Sequence, residues 1–223
     1  MSENRWTVAV IDSGLQDTSR LSPLACRRFV DDGNAVQELD AVPALTDHGS
    51  AVAEIIASGG ADLLIAQVTD ASGRTTPACV AAAIQWAQSQ DARLIHMSLG
   101  LSNARAVLAA AVRESIDAGI IIVASTPARG VTTYPANHEG VIRATGDARC
   151  MEDEVSWLGT PQADFGGCVV RSIAGRAARG ASIGAAHVSR FIVSRLPPLP
   201  DHRAVRAALA SLAAHRGCER RTS

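Results

Sequence analysis

The chain has 223 residues, 47% hydrophobic and 3% aromatic, with a formal net charge of −1. Such a chain can bury a core of small and aliphatic side chains, and its charge balance argues against general nucleic-acid or membrane-surface binding. All 21 basic residues are arginine, which excludes a P-loop lysine, a Schiff-base lysine and a serine–lysine dyad.

Cys26, Cys79, Cys150, Cys168 and Cys218 are odd in number, and no two have CxxC spacing. Neither a disulfide framework nor a structural zinc site is expected, and reduced cytoplasmic thiols are the simplest account. Cys79 reads as a small buried residue rather than a nucleophile. No apolar run reaches the roughly 18 residues of a membrane span. No signal peptide is recognised before the first strand, so the expected location is the cytoplasm. No cofactor and no metal are expected.

Residues 7–11, almost wholly apolar, read as a buried parallel strand. The strand ends in Asp12-Ser13-Gly14, which puts Asp12 at a carboxyl edge where α/β sheets gather their sites; the alternative is a turn aspartate. Residues 15–46 look irregular and acidic, with a short strand near 27–30. Asp31-Asp32-Gly33-Asn34 reads as a turn, since the glutamate spacing of a calcium loop is missing. Thr46 or Asp47 can cap a helix with Ala51, Val52, Ile55 and Ile56 on its apolar face. His48 falls in its first turn, where the helix dipole disfavours imidazolium and suits a neutral base.

Strands are expected at 63–68, 93–100, 120–124 and 141–145. Helices are expected from Thr76 or Pro77 to about 89 and from 104 to 118, the latter stopped by Gly119. His96 reads as a satisfied core histidine. Tyr134-Pro135-Ala136 reads as a rigid turn. Residues 147–179 are turn-rich, with short strands near 155–157 and 169–173. A helix over 182–196 stops at Pro197-Pro198. Asp201 caps a last helix with Val205, Leu209 and Leu212 on one face. This alternation predicts a parallel sheet with helices on both faces, in one domain over 1–215, followed by a frayed basic tail at 216–223.

Gly180-Ala181-Ser182 presents a serine at a helix N-terminus, where unpaired N–H groups and the positive dipole end can stabilise an oxyanion; the alternative is an N-cap serine. With Asp12 and His48 it supplies an acid, a base and a nucleophile, in the order used by subtilisins. Val10-Ile11-Asp12-Ser13-Gly14, His48-Gly49-Ser50-Ala51-Val52-Ala53 and Gly180-Ala181-Ser182 through Val188 resemble the aspartate, histidine and serine motifs of the subtilisin-like serine peptidases. Met97-Ser98-Leu99-Gly100, Tyr134-Pro135-Ala136 and Val141-Ile142 match further segments of that family. The similarity spans about residues 7 to 196.

The resemblance implies a three-layer α/β/α fold with a mainly parallel central sheet. It also implies that Asp12 orients His48, that His48 takes the proton of Ser182, and that Ser182 attacks a peptide carbonyl to form an acyl-enzyme. Ser98, Leu99 and Gly100 would hold substrate as an added strand. His187 lies inside the helix and reads as structural.

Three departures qualify this. Alanine replaces the usual threonine before Ser182, and Ala186 the proline before His187. The family's oxyanion asparagine is missing from 124–130; Thr126 is the expected substitute donor, with the Ser182 N–H and the more distant Asn137 as alternatives. Neither an inhibitory pro-segment nor a calcium loop is recognised, which suggests a compact intracellular member.

The last 53 residues hold ten arginines against Asp201 and Glu219, whereas residues 1–60 carry nine acidic and four basic side chains. Arg171, Arg176 and Arg179 are thus candidates to dock an acidic stretch of substrate; a solvated basic face is the alternative.

The reading is a processing endopeptidase acting on a protein or peptide, such as in leader removal, with accessory maturation proteins as further partners and no nucleic-acid or membrane partner. A peptide-binding pseudoprotease or chaperone is the second reading, and a transpeptidase on the same triad the third. A Rossmann dehydrogenase is disfavoured because no G-x-G-x-x-G follows the first strand.

Overall fold

The computed structural model describes residues 5–17, 21–131, 133–173 and 176–218, with the side chains of 171–179 outside the described set. In chain order the first half comprises β1 (Thr7–Asp12), β2 (Ala25–Asp31), β3 (Val36–Asp40), α1 (His48–Ala57), β4 (Asp62–Gln67), α2 (Pro77–Ser89), β5 (Leu94–Met97) and α3 (Ala106–Asp117). The second comprises β6 (Ile121–Ser125), β7 (Ile142–Asp147), β8 (Val155–Trp157), β9 (Phe165–Cys168), β10 (Val170–Ile173), β11 (Arg176–Arg179), α4 (Ala181–Arg195), α5 (His202–Leu212) and β12 (His215–Arg216).

Among the described residues one sheet runs β12-β8-β9-β7-β6-β5-β1-β4-β2-β3, and β10 pairs antiparallel with β11 apart from it. Within the large sheet only β2–β3 and β8–β9 are antiparallel. Strand β1 sits between β5 and β4 in parallel register. The chain leaves β1 towards one side and later returns to its other side through α2, so the carboxyl end of β1 is a topological switch point. Asp12 stands there.

Alternation along β1 divides the core. Val8 and Val10 pack with α1, α4 and α5 on one face, while Ala9 and Ile11 pack with α2 and α3 on the other. Each fully buried aliphatic side chain contributes roughly 1.5–3 kcal/mol of burial, so both faces are needed to hold the sheet. Trp6 Nε1 donates to the Leu196 carbonyl at 2.9 Å, tying the start of β1 to the end of α4. Trp86 lies on the opposite face, its ring centroid 6.0 Å from that of Phe29.

The expected caps of α2 and α5 form: the Thr76 hydroxyl accepts from the Cys79 N–H, and the Asp201 carboxylate from the Ala204 N–H. Buried Cys79 packs among the α2 and α3 residues. Leu212, expected on one face with buried Val205 and Leu209, is the last residue of α5 and is 51% exposed.

Several expectations need revision. The stretch 15–46 holds an antiparallel hairpin, β2 with β3, rather than one short strand. Strand β9 was not anticipated within 147–179. The tail is not frayed at its start: His215 and Arg216 pair with Ser156 and Trp157, and the Arg216 guanidinium sits 5.2 Å over the Trp157 ring. Residues 219–223 and the side chains of Arg171, Arg176 and Arg179 lie outside the described set. Among the described residues no helix is long and apolar enough to cross a membrane.

Candidate active site

Asp12 ends a strand buried along nearly its whole length, and its own side chain is buried. Its Oδ1 accepts from the Ser13 N–H at 2.6 Å and pairs with His48 Nδ1 at 2.8 Å. Because a carboxylate only accepts, Nδ1 carries the proton and Nε2 is left with a free lone pair. Asp12 Oδ2 is buried with no partner among the described residues.

His48 is the first residue of α1, whose cap residue Asp47 makes no side-chain hydrogen bond to the helix. The next residue must be glycine, since a Cβ at Gly49 would collide with the Gly14 carbonyl oxygen. That close approach brings the start of α1 onto the Asp12 loop. The His48 side chain stays 42% exposed. Its pKa is raised: the hydrogen bond to Asp12 favours the charged ring more than burial opposes it. The shift runs opposite to the one expected from the helix dipole alone, and Asp12 is its first cause.

Ser182 is the second residue of α4, after Gly180 at φ 130°. Its position leaves its N–H without an intrahelical partner. Helix α4 lies hard against β7, where a Cβ on Gly184 would overlap Gly146 Cα and the Thr145 carbonyl oxygen. Among the described residues no hydrogen bond links Ser182 to His48. Such contacts are often open without substrate.

A buried polar string nevertheless ties the serine segment to the sheet. His96 is fully buried on β5. Its Nδ1 meets Ser189 Oγ at 2.9 Å and its Nε2 meets Ser98 Oγ at 2.7 Å. The Ser98 hydroxyl then donates to the Ser182 carbonyl at 3.5 Å. Burial pushes the His96 pKa down to about 4, so the ring is neutral near pH 7. Both nitrogens are satisfied, as expected for a core histidine, but the reach from Ser189 to Ser98 was not legible from sequence.

Ser98, Leu99 and Gly100 continue beyond the regular part of β5. The following Leu101 exchanges backbone hydrogen bonds with Tyr134 at 2.7 and 2.9 Å. No backbone hydrogen bond engages Leu99 or Gly100 among the described residues, so that edge is free to pair. Thr126 is buried just past β6, and its N–H is committed to the Ala144 carbonyl at 2.9 Å. Its hydroxyl is therefore what it has left to offer. Asn137 is exposed, with its amide 3.4 Å from the Tyr134 hydroxyl. His187 is buried, and its Nδ1 lies 3.3 Å from the Glu152 carbonyl, as expected of a structural residue.

A cleft of about 1260 Å³ opens beside this centre. Asp12, His48 and Ser98–Gly100 line one end, and the loop after β4 together with Arg28 lines the other.

The model of the subtilase family matches residues 3–157. The chain belongs to the subtilase family. The match spans Asp12, His48 and Ser98–Gly100 and ends before Ser182. This subtilase is 30% identical over 152 residues to a thermostable alkaline protease of Halalkalibacterium halodurans, an alignment covering 62% of this chain and 40% of that protein. It therefore spans about 40% of the length of the curated relative that it matches.

Two solved structures share the subtilase fold. One, titled S41 psychrophilic protease, has a TM-score of 0.65 at 21% identity, covering 92% of this chain and 82% of that one. The other, a cold adapted subtilisin-like serine proteinase, has a TM-score of 0.66 at 18% identity, covering 93% and 84%. The expected fold, a mainly parallel sheet with helices on both sides, agrees with both.

Proposed function

We propose that this subtilase is a serine endopeptidase that processes a particular protein or peptide, with Asp12, His48 and Ser182 as its triad. The observation that carries the reading is the 2.8 Å contact between buried Asp12 and His48 Nδ1, which leaves Nε2 as a base on a residue that lines the cleft. His48 takes the Ser182 proton as Oγ attacks the scissile carbonyl, and later gives it to the leaving amine. Water then hydrolyses the acyl-enzyme. The Ser182 N–H and the Thr126 hydroxyl share the oxyanion. Leu99 and Gly100 bind the substrate backbone as an added strand.

With one strong side-chain donor replaced, a slow and dedicated enzyme such as a leader peptidase fits better than a digestive one. The five cysteines, all described, are unpaired, which suits action in the cytoplasm.

One observation favours a second reading, a peptide-binding pseudoprotease: residues 124–130 lack an asparagine, and His48 and Ser182 are not hydrogen-bonded. Labelling with a fluorophosphonate separates the two. An endopeptidase is labelled at Ser182, and both Ser182→Ala and His48→Ala abolish the label. A folded wild-type protein that stays unlabelled, with and without candidate peptides, supports the pseudoprotease.

A further inference from the structure

Three acids line the cleft, and each holds at least one partner, although Asp12 Oδ2 has none among the described residues. Asp12 holds His48 and Ser13. The Asp31 carboxylate accepts from the Gly33 N–H and the Thr76 hydroxyl, both at 3.0 Å. Asp70 accepts from Ser72 and Arg74, and its second oxygen lies 3.8 Å from Arg74 Nε. Arg28 is the cation of the lining that lacks an acidic partner: its Nε is buried with no hydrogen-bond partner, and among the described residues no carboxylate forms an ion pair with it.

Register places this cation. Arg28 pairs with Gln67 on β4, and Gln67 pairs with Asp12 on β1. Residues in register across parallel strands point to the same face, so Arg28 shares the face of Asp12, while Phe29 turns to the opposite face and Trp86. Two strand spacings put the Arg28 and Asp12 backbones about 10 Å apart. An extended peptide advances roughly 3.3 Å per residue, so a substrate side chain a few residues from the reacting carbonyl reaches the guanidinium.

A buried donor without a partner is unfavourable, more so when charged, and a binding cleft is where a ligand can supply the missing acceptor. The planar fork of arginine matches a carboxylate. We infer that Arg28 is a specificity-determining residue that accepts an aspartate or glutamate side chain of the substrate a few residues from the scissile bond. Its place relative to a scissile bond rests on the endopeptidase reading; the acid-binding role itself needs only the cleft.

The test is cleavage of a randomised peptide library, followed by matched peptides that differ only by Glu or Gln at the selected position. The expected wild-type preference for Glu over Gln is roughly ten- to a hundredfold in kcat/KM. It collapses to near parity in Arg28→Gln and inverts towards Lys in Arg28→Glu. Arg28→Lys keeps part of it, because the charge remains while the fork is lost. In the wild type alone the preference fades as the peptide glutamate protonates below about pH 4.3, a readout that needs no variant to fold.

Cleavage without an acidic preference at any position, or a preference that survives Arg28→Gln, overturns the inference. Binding of the same peptide pair to Ser182→Ala, read by fluorescence anisotropy, separates it from catalysis. An uncleaved but Arg28-dependent acidic peptide sinks the endopeptidase reading and leaves the inference standing. Absence of both cleavage and preferential binding also overturns the inference.

Discussion

His96 and Ser189, 93 positions apart in sequence, meet at 2.9 Å inside the protein. The bond joins β5, which leads to the edge proposed to bind substrate, to α4, which carries Ser182. Replacing His96 by phenylalanine strands the Ser189 hydroxyl, at a cost of about 1–3 kcal/mol, and takes from the Ser98 hydroxyl its nearer partner. Denaturant unfolding of His96→Phe should show a loss of that order, and fluorophosphonate labelling should slow beyond what the unfolded fraction explains. His96→Gln, which can still bond, should recover part of both.

The same histidine predicts an acid-side stability loss. Its folded pKa of about 4 lies below the unfolded value near 6.5, so between these limits the unfolded chain binds more protons. Stability is therefore fully present above 6.5 and declines as pH falls towards 4, by up to about tenfold in the folding constant per pH unit. Unfolding midpoints taken across this window should show the slope in the wild type and a weaker one in His96→Gln.

For His48 the sign is opposite. Its pKa is raised by Asp12, so the base form appears only as pH climbs through a value above 6.5. Labelling rate against pH should rise along an alkaline-shifted limb. The stabilising Asp12–His48 pairing is strongest below the unfolded pKa and is lost as pH rises through the folded one. Asp12→Asn should lower the limb and cut the acylation rate by about ten-thousandfold. A profile unchanged by Asp12→Asn would remove Asp12 from the mechanism.

Thr126→Val keeps shape and removes the hydroxyl. If that hydroxyl faces the oxyanion, the acylation rate falls on the order of a hundredfold while the melting temperature moves little. An unchanged rate would leave the Ser182 N–H as the donor.

Gly184→Ala places a methyl against the β7 backbone. Backbone cannot yield as a flexible side chain can, so a loss of about 1–3 kcal/mol is expected by thermal unfolding, with slower labelling as α4 shifts.

How far the sequence carries depends on where the determining contacts lie. The places of Asp12, His48 and Ser182 in the fold were legible because each follows a local signal: a strand end, a helix start and a glycine-bounded turn. Strand β3 was not, because Val36-Gln37-Glu38-Leu39-Asp40 is mostly exposed at a sheet edge and reads as loop. Strand β9, Phe165-Gly166-Gly167-Cys168, hid behind its glycines. A Cβ on Gly167 would strike the Gly184 carbonyl oxygen, so this glycine exists for a helix contact far along the chain. The pKa direction of His48 and the isolation of Arg28 depend on tertiary neighbours that no local pattern encodes.

The three tryptophans divide the molecule optically. Trp6 is buried beside the end of α4, Trp86 is buried on the α2–α3 side, and Trp157 is 41% exposed under Arg216 at the sheet edge. Variants retaining one indole each would carry a separate emission signal for each face and for the edge. Peptide binding that moves α4 would then change the light from Trp6 and leave Trp86 dark to the event.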